Sequence, residues 1–139
     1  MPKTIYFAGS ISGGRQDVEL YKEIIEHLKQ YGTVLTEHVG DKNIKGEENL
    51  DSSTIHNRDI KWLLEADVLV AEVTTASLGV GYELGRSVEN KKKILCLFRD
   101  TDGKKLSAMI AGCSQINNQN YQTLDQAKII IDQFFQFLS

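Results

Sequence analysis

Proline, cysteine and tryptophan are almost missing from this chain, with one, two and one residue respectively. A lone proline, Pro2, leaves no proline-rich linker or polyproline recognition segment. Cys96 lies in an apolar run and Cys113 in a loop-like stretch, with no C-x-x-C spacing. A disulfide framework is therefore excluded, and two reduced thiols of a cytoplasmic or nuclear protein are expected. No run approaches the ~20 apolar residues that span a bilayer, and no signal-peptide pattern is visible, so no membrane partner is expected. Neither sign of charge dominates: 16 basic residues stand against 19 acidic ones, a net charge of -3, which argues against a non-specific grip on nucleic acid. No group of His, Cys, Asp or Glu has metal-ligand spacing, so neither a metal nor another cofactor is expected.

What remains is 139 residues, 41% hydrophobic and 25% charged, the composition of one globular domain over 1–139. Short β-branched and aromatic runs predict strands at 4–8, 33–36, 68–71 and 94–98, with a weaker fifth at 115–116. Helical spacing predicts helices over 17–31, stopped by Gly32, and from a Ser53 cap to Ala66. Another helix is expected after the glycine-punctuated turn Ser77-Leu78-Gly79-Val80-Gly81, and its end at Lys91-Lys92-Lys93 reads as solvated. A Thr123/Gln126 capping box starts the last, with Leu124, Ala127, Ile130, Ile131, Phe134 and Phe137 as its buried face. The polar stretch 40–51 reads as a surface loop. Continuous apolar strands alternating with helices indicate an α/β, Rossmann-like domain: a mostly parallel five-stranded sheet with helices on both faces. Ligands of such folds bind at the carboxyl ends of the strands, near the reversal of strand order.

Two acids sit where a chain of this kind would place catalysts. Asp59 interrupts an apolar helix face of Ile55, Trp62 and Leu63, where desolvation would favour its protonated form. Glu83 follows the glycine turn, and a first-turn position would hold it ionised through the helix dipole. One acid to donate a proton and one to attack is the usual equipment for cleaving a glycosidic bond. The bland readings are a surface acid paired with Arg58 or Lys61, and a dipole-complementing acid paired with Arg86. The loop Gly9-Ser10-Ile11-Ser12-Gly13-Gly14 and the second glycine turn could both offer amides to an anion, although neither matches a P-loop or G-x-G-x-x-G pattern. His38, at the end of the second strand, is a ligand contact or a solvated turn residue. His27 and His56 look ordinary, and Tyr6 reads by default as a core aromatic.

Five segments together carry a resemblance: Ile5-Tyr6-Phe7-Ala8-Gly9-Ser10-Ile11, Thr33 through Val39, Ala66 through Val73, Ser77-Leu78-Gly79-Val80-Gly81-Tyr82-Glu83-Leu84-Gly85-Arg86, and Leu106-Ser107-Ala108-Met109-Ile110. In order along nearly the whole chain, they resemble the 2′-deoxynucleoside 5′-phosphate N-hydrolases of the nucleoside 2-deoxyribosyltransferase-like superfamily. The resemblance implies a homodimer that hydrolyses a nucleoside monophosphate to free base and (deoxy)ribose 5-phosphate. It assigns Glu83 as nucleophile, Asp59 as general acid and base, and Tyr6 as the residue that positions the nucleophile. Gly9, Ser10, Ile11, Ser77 and Gly79 match phosphate-binding positions, and Ser107 matches a serine offered to the neighbouring subunit's phosphate. The family pattern has arginine where this chain has Ser12, and Arg15 is the residue that could reach back in compensation. The alternatives are a base-exchanging nucleoside 2-deoxyribosyltransferase and a nucleotide-binding module without catalysis.

Overall fold

Strand β1, Lys3–Ala8, shows how the layers form. Successive side chains of a strand point to opposite faces. Ile5 and Phe7 accordingly enter one apolar cluster, while Tyr6 and Ala8 enter the other. The computed structural model describes residues 2–11, 17–40, 50–100 and 103–138. Beside β1 run β2 (Gly32–Val34), β3 (Val68–Glu72), β4 (Lys93–Arg99) and β5 (Asn117–Tyr121). All adjacent pairs are parallel, in the order β2-β1-β3-β4-β5. Helix α1 (Val18–Leu28) and α5 (Leu124–Gln136) cover one face through Tyr21, Ile24, Leu28, Ala127 and Ile131. Helix α2 (Ser52–Glu65) and α3 (Leu78–Glu89) cover the other through Ile60, Leu63, Val80 and Leu84. A short helix α4, Ala108–Ala111, precedes β5. Among the described residues no helix is long and apolar enough to cross a membrane.

Several boundaries differ from expectation, each for a local reason. Helix α1 ends at Leu28, because the Tyr31 carbonyl must already accept from Lys3 N–H to enter the sheet (2.9 Å). Gly32 is not a helix stop but the first residue of β2, where a Cβ would sit 1.8 Å from the Lys3 carbonyl oxygen. Strand β2 ends at Val34, and the Thr36 hydroxyl continues its pairing by accepting from Phe7 N–H (2.8 Å) and donating to Phe7 C=O (2.7 Å). The cap of α2 is Asp51, which accepts from Thr54 N–H at 2.8 Å, and not Ser53. The fifth strand lies at Asn117–Tyr121, beyond 115–116; it is polar, so backbone pairing to β4 and not side-chain burial defines it. Phe137 follows the last turn of α5 and is 81% exposed, while Phe135 stacks on Tyr31 with ring centroids 4.4 Å apart. Lys92 is not a free solvated end: its ammonium donates to the carbonyls of Leu64 (2.7 Å) and Ala66 (2.8 Å), closing the C-terminus of α2. Of the expected loop 40–51, residues 41–49 lie outside the described residues; Gly40 ends a 3₁₀ turn, Glu37–Gly40.

Candidate active site

Strand order reverses between β1 and β3, since the chain goes from β1 outward to β2 and then returns to build β3, β4 and β5 on the other side. At the carboxyl ends of β1 and β3 lies a cavity of about 680 Å³. The expected catalytic residues Tyr6, Asp59 and Glu83 all line it, as do Gly9, Ile11, His38, Ser77 and Gly79. They arrive on separate elements. Tyr6 comes from β1, His38 from the 3₁₀ turn, Asp59 from α2, and Ser77, Gly79 and Glu83 from the start of α3.

Tyr6 is 1% exposed, and its position on the α2/α3 side of β1 aims its hydroxyl at Glu83, whose Oε2 accepts the proton. Burial, with the negative charge of Glu83 next and that of Asp59 behind it, drives the phenol well above its ordinary range. Tyr6 therefore stays a proton donor at any pH the fold experiences. Glu83 does not open its helix. Ser77 is the N-cap, its Oγ accepting from Val80 N–H at 3.3 Å, and the glycine-rich stretch is the first turn of α3. Glu83 thus lies beyond the first turn, where the dipole has largely faded. Its hydrogen-bond partner in the folded chain is the Tyr6 hydroxyl.

Asp59 is not surrounded only by apolar groups. Arg58 grips its Oδ1 through Nε and a terminal nitrogen, both at 2.9 Å. The guanidinium in turn lies 4.9 Å from the Trp62 ring, and Trp62 meets His38 at 5.8 Å between centroids. Arginine provides donors alone, so this contact fixes the orientation of the carboxyl group. Arg86, the expected partner of Glu83, is directed instead at Tyr82.

The start of α3 suits an anion. The first turn of α3 carries no acidic side chain of its own, and Ser77, Leu78 and Gly79 line the cavity there. Gly9 allows the β1 loop to pass close to Tyr21, whose ring atoms would be 2.9 Å from an added Cβ. Ser10 departs from expectation: it is fully buried and does not line the cavity, its N–H donates to the Tyr21 hydroxyl (3.1 Å), and its own hydroxyl has no partner among the described residues. Packing of Tyr21 under the loop turns Ser10 inward. Ser12 and Arg15 lie outside the described residues. Ser107 is exposed, caps α4 by accepting from Met109 N–H (3.3 Å), and does not border this chain's own cavity.

Sequence reasoning missed three features. Thr36 lines the cavity, although its hydroxyl role depends on a strand it does not belong to. His56 and Tyr82 also line it and are hydrogen-bonded at 2.7 Å. The i, i+3 spacing of His56 and Asp59 was the available signal. At the other face Glu72, wholly buried, accepts from Thr74 N–H (2.9 Å), the Thr74 hydroxyl (2.6 Å) and the Tyr121 hydroxyl. Burial pushes its carboxyl above the usual range, against the pull of those donors. Among the described residues no cluster of His, Cys, Asp and Glu could hold a metal ion.

The model of the family described as nucleoside 2-deoxyribosyltransferase matches residues 5–109. A 5-hydroxymethyl-dUMP N-hydrolase of Danio rerio is 52% identical over 140 residues, covering 97% of each chain. The Homo sapiens protein of the same name is 48% identical over 95% of this chain and 79% of its own. A CMP N-glycosidase structure from Clostridium botulinum superposes with a TM-score of 0.72 at 15% identity, over 95% of this chain and 99% of that one, which is a likeness of fold. With three quarters of its length matched and relatives about half identical along its whole extent, this chain belongs to the nucleoside 2-deoxyribosyltransferase family.

Proposed function

We propose that this protein hydrolyses the N-glycosidic bond of (2′-deoxy)nucleoside 5′-monophosphates, releasing a free base and (deoxy)ribose 5-phosphate. The observation that carries this reading is that Tyr6, Asp59 and Glu83, from three elements, border one cavity that the first turn of α3, free of acidic side chains, also lines. The relatives named N-hydrolases of a nucleoside monophosphate support the same substrate class.

Glu83 attacks the anomeric carbon with the oxygen not bonded to Tyr6, as the base leaves with the bonding electron pair. Asp59 transfers a proton to the departing base, a contribution of typically about 10²–10⁴-fold. The resulting glycosyl ester on Glu83 is then displaced by water, whose proton returns to Asp59, so the configuration at the sugar is retained overall. Arg58 keeps the Asp59 carboxyl oriented through Oδ1. The 5′-phosphate is held by Ser77, Gly79 and the backbone of Gly9 and Ile11, which line the same cavity. Phosphate binding energy fixes the sugar, so a nucleoside without phosphate turns over more slowly as well as binding more weakly. The active form is a homodimer in which Ser107 reaches the partner's phosphate. Consistent with that arrangement, Met109 beside Ser107 and Leu78 beside Ser77 are 84% and 96% exposed.

The test is incubation with a panel of ribo- and deoxyribonucleoside monophosphates and chromatography of the released base. Glu83→Ala and Asp59→Asn are expected to stop release while circular dichroism shows an intact fold. Wild-type rates in either variant would refute that residue's role. A new nucleoside formed from an added base, in preference to sugar phosphate, would make the protein a transferase. Nucleotide-dependent thermal stabilisation without base release would make it a binding module.

A further inference from the structure

His56 stands one helical turn before Asp59 on α2, and Tyr82 immediately precedes Glu83 on α3. Their side chains meet across the cavity rim. His56 Nε2 and the Tyr82 hydroxyl are 2.7 Å apart, and the rings are 5.5 Å apart between centroids at 41°. Two further partners set the direction of the bond. Arg86 approaches the same hydroxyl at 2.7 Å, with its guanidinium 5.6 Å from the Tyr82 ring. His56 Nδ1 lies 2.9 Å from Asn57 Oδ1. Arginine can only donate, so the Tyr82 oxygen accepts from Arg86; with the imidazole Nδ1 proton directed at the Asn57 Oδ1 acceptor, Nε2 is left to accept the Tyr82 proton. The imidazole then carries its proton on Nδ1 and donates it to Asn57. The relay Arg86 to Tyr82 to His56 to Asn57 matches every donor to an acceptor.

We infer that the His56–Tyr82 hydrogen bond is a positioning strut that fixes the distance between the two acid-bearing helices, and through it the turnover of the reaction proposed above, on which this inference rests. Deeper in the protein α2 and α3 are held by Ile60, Leu63, Val80 and Leu84, buried apolar side chains of which only Val80 also lines the cavity. The strut lies at the rim itself, one residue from Glu83 and one turn from Asp59. Both ring nitrogens of His56 and the Tyr82 hydroxyl are already committed, so the pair shapes the cavity wall without bonding the reacting atoms. The bond is exposed, with Tyr82 47% accessible, and an exposed hydrogen bond adds little to stability. Catalysis is far more sensitive, because a misplacement of about 1 Å between reacting groups can lower a rate about 10²-fold.

The experiment is a double-mutant cycle on the full-length protein with His56→Ala, Tyr82→Phe and the pair, plus His56→Gln. The glutamine amide oxygen introduced by His56→Gln would lie near the position of Nε2 and accept the Tyr82 proton. Each single variant of the cycle is expected to lower kcat about tenfold with KM within about twofold of wild type and the thermal midpoint nearly unchanged. The double variant is expected to be no slower than the worse single, and His56→Gln to recover most of the loss. Multiplicative effects, a raised KM at unchanged kcat, or a His56→Gln enzyme as slow as His56→Ala would each overturn the strut while leaving the hydrolase reading intact. Wild-type protein that releases no base from any nucleotide would overturn both.

Discussion

Tyr6→Phe separates the electrostatic from the packing role of the buried phenol. The ring of Tyr6 is enclosed by the α2/α3 cluster, and phenylalanine keeps that packing. What disappears is one hydrogen bond to a carboxylate, worth about 1.5–3 kcal/mol. Glu83 borders the cavity, so water can replace the lost donor in the folded protein, and the stability loss should stay below about 1.5 kcal/mol. The consequence for catalysis differs between the two steps. During attack Glu83 loses negative charge, so the Tyr6 bond partly opposes reaction while it holds the carboxylate in line. During ester hydrolysis Glu83 regains charge, and the same bond assists its departure. At about 1.4 kcal/mol per decade the second step should slow by about 10–150-fold. A rapid-quench assay is expected to show a burst of free base followed by slow release, with the mass of the sugar phosphate added to the protein. Wild-type steady-state turnover without a burst would refute the assignment of Tyr6.

Two further predictions concern the sheet. Tyr121→Phe removes a donor from buried Glu72, and denaturant titration at pH 7 should show a loss of about 1–3 kcal/mol. The folded-state carboxyl of Glu72 already titrates above its unfolded value, so its contribution to stability falls as pH rises through that window; losing the donor raises it further, and the deficit of the variant should shrink toward pH 4. Equal deficits at both pH values would refute this. The Cys96 thiol, pushed up to about 12 by burial, should resist alkylation in the native protein and react on unfolding, and rapid native labelling would contradict the burial argument.

Strands β1, β3 and β4 were legible because each is a continuous apolar run, and only a sheet covered on both faces buries such a run in full. Strand β5 was misplaced because Asn117, Asn118, Gln119 and Asn120 carry no apolar signal, and pairing with β4 alone makes them a strand. Asp59 and Glu83 could be singled out from local pattern, an acid interrupting an apolar helix face and an acid following a glycine turn, and both line the cavity. Their partners could not. Ser77 had to cap α3 before Glu83 could be placed beyond the first turn, and the 77-residue separation of Tyr6 and Glu83 leaves no local periodicity to read. Arg58 was named as a candidate partner of Asp59 because adjacent residues can meet without any fold; His56 passed as ordinary because Tyr82 is 26 residues away.

Hydrophobic periodicity and side-chain acidity are local properties, so the layered parallel architecture and the residues able to carry the chemistry could be read from the order of amino acids. Which hydroxyl steadies Glu83, which guanidinium orients Asp59 within the cavity and which histidine braces the helices emerged with the folded chain. Those relations depend on the relative placement of β1, α2 and α3, and only the packing of three separate segments around the strand-order reversal sets it.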